Sequence, residues 1–175
     1  MSLRAERKGK RLTLGFNEAG SHQIVDIVQC EIMAPELFAL IAPLRVLLAK
    51  LVPDRRTATV QMTLIDQGVD LALEKVEADG LEAAELLTGF AESHQLARLS
   101  IDQGYGPEAR WEPQPASVTL GGVPVPFPVG GFLQATADGE AALVRAVLET
   151  VGDGAVVADL FAGLGTFSLA LGGRV

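Results

Sequence analysis

AVVADLFAGLGTFSLAL, residues 155–171, is the stretch whose reading decides the fold. The apolar run Ala155-Val156-Val157-Ala158 closes on Asp159. Gly163 and Gly165 form a Gly-x-Gly turn, and Phe167 to Leu171 can open a helix. Strand, glycine turn and helix start make the shape of a nucleotide-type cofactor site at the first turn of a doubly wound sheet. The sequence ends at Val175, where such a sheet would only be beginning. An incomplete second domain is therefore expected.

Composition limits what surrounds that stretch. The 175 residues suit one domain or one and a fraction, with 49% apolar and 21% charged side chains, ordinary for a globular protein. No apolar run approaches the roughly 18 residues of a membrane helix, and no signal-peptide pattern opens the chain. The single cysteine, Cys30, excludes an internal disulfide framework and fits a reducing cytoplasm. The net charge of −8 opposes nonspecific nucleic-acid binding, yet it is unevenly spread. Residues 1–11 hold Arg4, Arg7, Lys8, Lys10 and Arg11 against Glu6 alone, leaving the remainder at −12. Residues 1–10 read as a basic arm able to touch a phosphate backbone, or as a solvated, tag-derived terminus.

Between the two ends, periodicity predicts an α+β domain over residues 11–105 with a mostly antiparallel sheet. Arg11–Phe16 and His22–Cys30 read as a hairpin. Pro35–Leu51 is helical by three- and four-residue spacing, with Pro43 expected to kink or split it. Thr57–Ile65 and Val69–Val76 alternate around the Asp66-Gln67-Gly68 turn. Leu81–His94 reads as a helix and Leu96–Asp102 as a strand. Residues 106–130 are rich in glycine and proline and read as a linker, with a short strand at Ser117–Leu120. A helix over Asp138–Val151, capped by Thr136 or Asp138 and ended by Gly152-Asp153-Gly154, then opens a domain over 131–175.

Few side chains carry chemistry by themselves. Residue 168 is serine, so the dinucleotide pattern Gly-x-Gly-x-x-Gly is not met. Gly163 and Gly165 clear space for a ligand, Asp159 can accept a bond from its amine or hydroxyl, and Phe161 can stack on a flat ring. These features suit S-adenosylmethionine, which has no phosphate; a ligand-free turn is the alternative. Cys30 has no second cysteine or base nearby and reads as a packed thiol. His22 and His94, the two histidines, lack metal-ligand spacing. Gln134 lies just before a helix, where a carboxamide can reach a ligand or simply begin the helix.

Four pieces in order resemble one family: Leu14-Gly-Phe-Asn-Glu-Ala-Gly-Ser-His-Gln-Ile-Val-Asp26; Gln29-Cys30 before the proline-containing helix; Gly131-Phe-Leu-Gln134-Ala-Thr136; and Asp159-Leu-Phe-Ala-Gly-Leu-Gly-Thr-Phe167. Together they resemble the S-adenosylmethionine-dependent RNA uracil-5-methyltransferases of ribosomal and transfer RNA. The resemblance implies a central α/β domain followed by the opening helix and first strand of a Rossmann-like methyltransferase domain. It places Gln134, Phe161 and Thr166 at methyl-donor contacts, although Thr136 and Thr166 stand where many members have asparagine. It puts Cys30 at the last of four 4Fe–4S ligands, a cluster one thiolate cannot hold. In the family a cysteine adds to C6 of uracil and a base removes the C5 proton. Neither those residues nor the ribose-binding acid falls within this sequence. The resemblance thus implies a truncated form without catalytic residues, with no methyl transfer and weak binding of the donor. Residues 155–160, as an unpaired strand, are expected to be disordered or buried in a homodimer. An RNA-binding module without catalysis and a methyltransferase of another substrate class remain alternatives, with a nicotinamide dehydrogenase the least favoured.

Overall fold

The computed structural model describes residues 1–152 and 154–172, so Asp153 of the expected helix-ending turn lies outside the described residues. The chain divides into two compact units, Met1–Ala116 and Ser117–Val175.

The first unit is built on a seven-stranded sheet in the order β3-β2-β1-β4-β5-β6-β7. Its strands are β1 (Ser2–Lys8), β2 (Arg11–Asn17), β3 (Ile24–Asp26), β4 (Thr57–Ile65), β5 (Gly68–Glu74), β6 (Arg98–Asp102) and β7 (Pro107–Trp111). Every neighbouring pair is antiparallel except β5 and β6, which run parallel because helix α3 (Gly80–Ser93) crosses between them. Alternation along the strands sends Leu3, Ala5, Leu14, Val60, Met62, Leu71, Leu73 and Leu99 into one core. Leu37, Leu44, Leu48 and Leu87, from α1 (Pro35–Ala39), α2 (Ile41–Leu51) and α3, complete that core. Residues paired across the ladder share a face. The opposite face therefore carries Arg4, Glu6, Lys8, Arg11, Thr13, Thr59, Asp70 and Arg98.

Several expectations change here. Residues 2–8 are not a solvated arm but a central strand, with Leu3 and Ala5 wholly buried. The helix over 35–51 is split at Leu40, not at Pro43. Pro43 sits in the first turn of α2, where its missing N–H would have no partner in the helix anyway. The returning strand of the first hairpin is only Ile24–Asp26.

The second unit has a two-stranded sheet, β8 (Ser117–Leu120) and β9 (Val123–Pro126), followed by α4 (Ala137–Thr150) and α5 (Thr166–Leu171). With β7, these strands occupy much of the stretch read as a linker. Gly121 turns the β8–β9 hairpin with φ 56°, and a Cβ there would lie 2.6 Å from the Leu169 carbonyl carbon. Only glycine lets α5 approach the hairpin this closely. Thr136 caps α4, its Oγ1 accepting from Gly139 N at 3.2 Å.

The strand expected at 155–160 does not form. Among the described residues this segment has no ladder partner, and Val156 and Leu160 stand exposed. Apolar, β-branched composition supplies the propensity for a strand but not the neighbour that makes one. The first strand of a Rossmann-like sheet and the strand edge expected to drive a homodimer are thus both missing from the described structure.

Candidate functional site

The 159–166 turn is organised by backbone geometry and one side-chain bond. Phe161, Gly163 and Gly165 have φ of 61°, 58° and 89°, all left-handed. Glycine adopts such angles freely, whereas a phenylalanine there is under strain. Its ring is fully exposed. No atom lies within 4 Å of the point where a Gly163 Cβ would stand, so the turn is open on that side. Gly165 caps α5 and Thr166 is that helix's first residue.

Ser168 Oγ donates to Asp159 Oδ2 at 2.5 Å. The position at which the dinucleotide pattern carries its third glycine thus holds a hydroxyl that fixes the acid. Sequence reading registered Ser168 only as a departure from a pattern; a hydroxyl nine residues beyond the acid was the available signal. Asp159, Phe161, Gly163, Gly165 and Thr166 are therefore gathered in one turn. Gln134 is half-buried in the segment before α4, and among the described residues no hydrogen bond joins it to that turn.

The amino-terminal basic residues fall into two groups. Arg4 Nη1 donates to Thr59 Oγ1 at 2.6 Å, and Arg7 donates to the Gly9 and Val52 carbonyls, each at 3.1 Å. Arg4 thus ties β1 to β4, and Arg7 ties β1 to its own turn and to the end of α2. Lys8, Lys10 and Arg11 are exposed around the β1–β2 turn, with Lys8 Nζ 2.9 Å from Glu6 Oε2.

Beside them, a second arrangement was not anticipated. Asp26 Oδ1 accepts from Arg45 Nη1 (2.6 Å) and from Leu14 N (3.0 Å), while Arg45 Nη2 donates to the Ile27 carbonyl (2.6 Å). Burial pushes the Asp26 carboxyl up. The Arg45 hydrogen bond, the Leu14 amide and the charges of Arg45 and Arg11 outweigh it and hold the group below its ordinary value. The Leu14–Asp26 motif is thus at least partly structural, an α2 arginine fastening β3 to β2.

No family model matches the chain. Individual proteins do. An RNA methyltransferase of Zymomonas mobilis is 53% identical over 97% of this chain and 43% of its own length. One of Brucella melitensis is 39% identical over 94% of the chain and 39% of its own length. The 23S rRNA (uracil(1939)-C(5))-methyltransferase RlmD of Tolumonas auensis is 33% identical over 94% of the chain and 38% of its own length. The chain belongs to the RNA uracil-5-methyltransferase family. It spans about two fifths of the length of the curated relatives it matches.

Within this chain, Cys30 is a free, half-buried thiol packed against the core of the first unit. Among the described residues no three His, Cys, Asp or Glu side chains converge as a metal site. The residues present do not fit a 4Fe–4S cluster, and no chemistry is assigned to one. His22 is exposed beside the basic turn, and His94 stacks obliquely on Phe90 with ring centroids 4.6 Å apart. No helix among the described residues is long and apolar enough to cross a membrane.

Proposed function

We infer that these residues belong to a protein that transfers a methyl group from S-adenosylmethionine to C5 of a uridine in ribosomal or transfer RNA in the cytoplasm. The observation that carries this reading is the match over more than nine tenths of the chain to proteins named as RNA methyltransferases, one named for uracil C5 of 23S rRNA. S-adenosylmethionine, when bound, supplies an electrophilic methyl on a sulfonium centre. The 159–166 turn is suited to one wall of its site. Asp159, fixed through Ser168, can accept from an amine or hydroxyl. Phe161 offers an exposed ring, Gly163 and Gly165 keep side chains out of the way, and Thr166 and Gln134 add polar contacts. By themselves these residues bind and orient; they hold no nucleophile or base for the transfer.

Deleting the gene and analysing ribosomal and transfer RNA by mass spectrometry tests the reading. One 5-methyluridine is expected to disappear, to return with the whole gene and not to return with residues 1–175 alone. Unchanged methyluridine in the deletion strain would refute the uridine assignment. Rescue by the 175 residues would refute the claim that they are insufficient.

A further inference from the structure

Near the β7 edge of the first unit's sheet, an open depression of about 610 Å³ lies beside Trp111. The β4–β5 turn brings Asp66 to its lining, the last turn of α3 brings Glu92, and the chain beyond β7 brings Pro113 and Gln114. Trp111 is half-buried against the core, and its Nε1 donates to the Leu96 carbonyl at 3.1 Å, which holds the indole at the wall. α3 ends there in a tight turn. Leu96 N donates to the Ala91 carbonyl (2.9 Å) and Gln95 N to that of Glu92 (3.1 Å). Gln95 is left-handed at φ 50°, the position glycine usually takes after a helix, and so sets a carboxamide in the lining.

The charge here has one sign. Two carboxylates line the depression, and no lysine, arginine or histidine does. His94 stacks on Phe90 instead, and Arg98 lies on the other face of the sheet, bound to Asp70. No salt bridge among the described residues involves Glu92. Glu92 also stands in the last turn of α3, where the helix presents its negative pole and no basic residue offsets it. An arriving cation would relieve both. Two carboxylates fall short of a metal's donor set, and no three metal-ligating side chains converge among the described residues. A guanidinium matches the lining better. It stacks flat on an indole, forks onto a carboxylate, and keeps N–H groups for the side-chain carbonyls of Gln95 and Gln114. The volume is in the range of clefts that seat a small group, and the carboxylates would repel a phosphate.

We propose that this depression seats an arginine side chain from a basic segment of a partner protein, its guanidinium stacked on Trp111 and held by Glu92 and Asp66. The contact is independent of methyl transfer, which neither requires nor supplies it.

Trp111 is the only tryptophan in the sequence, so its fluorescence reports occupancy directly. The 175-residue chain is titrated with tri-arginine amide in about 150 mM salt, which screens attraction to the overall charge of −8. The emission is expected to change with a Kd on the order of 1 mM. Tri-lysine amide should bind more weakly, and tri-citrulline amide, the neutral counterpart, should cause no change. The Asp66→Asn/Glu92→Gln double variant is expected to lose about five- to tenfold in affinity for the arginine peptide. Glu18→Gln/Glu36→Gln removes the same charge outside the depression and should bind as the unsubstituted chain does. Gln95→Gly frees a left-handed position, so it should raise the urea midpoint while lowering affinity, which separates contact from fold. Circular dichroism checks that each variant is folded. An equal response to tri-citrulline amide, undiminished binding by the Asp66/Glu92 variant, or no response at millimolar peptide overturns the site. An equal or stronger response to spermidine or to oligouridine overturns the arginine assignment. Each of these leaves the methyltransferase reading standing, because that is decided separately by methyluridine in the deletion strain.

Discussion

Substituting Gly15 by alanine is expected to strip β3 from the sheet. Gly15 pairs with Arg4 of β1 on one side and Asp26 of β3 on the other. A Cβ built on it would lie 1.9 Å from the Val25 carbonyl oxygen, 2.9 Å from its carbon and 3.0 Å from Ile27 N. Non-bonded heavy atoms settle near 3.5 Å, so the β3 backbone would have to withdraw by roughly 1.5 Å. That distance breaks the Ile27 N to Leu14 O bond (2.9 Å) and the Leu14 N to Asp26 bond (3.0 Å). It also pulls Asp26 and the Ile27 carbonyl away from Arg45. Net losses of about 1 kcal/mol per neutral bond, somewhat more for the charged one, add to about 2 kcal/mol for exposing Ile27. The total approaches about 5 kcal/mol, a large part of the roughly 5–15 kcal/mol that holds a domain folded. Urea unfolding should show this loss, with amide exchange at residues 24–27 accelerating most. Gly89 serves as control: it lies inside α3 with nothing within 4 Å of its Cβ position, so Gly89→Ala should stabilise by about 0.5–1 kcal/mol. A Gly15→Ala protein within about 1 kcal/mol of the original would refute the close-approach argument.

Asp26 makes a matching prediction in pH. Its folded pKa lies below the unfolded value, so its contribution is fully present above about pH 4 and is lost as pH falls through the lower folded pKa. Asp26→Asn should therefore flatten the acid limb of a stability–pH curve, and an unaltered limb would contradict the sign. Arg98 grips Asp70 with two bonds, 2.8 and 2.9 Å, both side chains being buried. Arg98→Met leaves that carboxylate uncompensated and should cost about 3–5 kcal/mol in urea unfolding, with most of it recovered by adding Asp70→Asn. Ser168→Ala removes the hydroxyl bound to Asp159 and should weaken the turn by about 1–2 kcal/mol, read as faster amide exchange at residues 165–171. Phe161→Gly relieves a left-handed phenylalanine, so stability should change by less than about 1 kcal/mol, while S-adenosylmethionine affinity of the whole enzyme falls; equal affinity would dismiss the stacking role.

What the chain reveals about itself depends on how local each signal is. β4 and the Asp66-Gln67-Gly68 turn are legible because alternation and turn chemistry occur within about ten residues. The long helices α3 and α4 are legible for the same reason. β1 was hidden under its charge. Ser-Leu-Arg-Ala-Glu-Arg-Lys alternates correctly, but its inward residues are only Leu3 and Ala5, and the four charged side chains suggest a solvated tail. Its neighbours β2 and β4, not its own composition, make it a central strand. β7, with Pro107-Glu-Ala-Arg-Trp111, is a polar edge strand and carries almost no pattern at all.

The same distinction separates the two ends of the candidate chemistry. At the amino end, five basic residues looked like one electrostatic feature, and only the hydrogen bonds show that Arg4 ties β1 to β4 and Arg7 ties β1 to the end of α2. At the other end, Ala155 to Leu160 has the composition of a buried parallel strand and none of its pairing, while the turn it feeds is nevertheless shaped. Left-handed angles at Gly163 and Gly165 and the bond from Ser168 to Asp159 are local features, formed within nine residues without a sheet beneath them. A turn with its acid already fixed needs less ordering when a ligand arrives, which lowers the entropic cost of binding. The strained Phe161 fits that view, since a side chain held in an unfavourable backbone region and offered to solvent gains from contact with a flat ring. Ser168 holds the acid in place; on the proposed reading Phe161 supplies the ligand contact, and their two substitutions should then separate turn stability from ligand affinity.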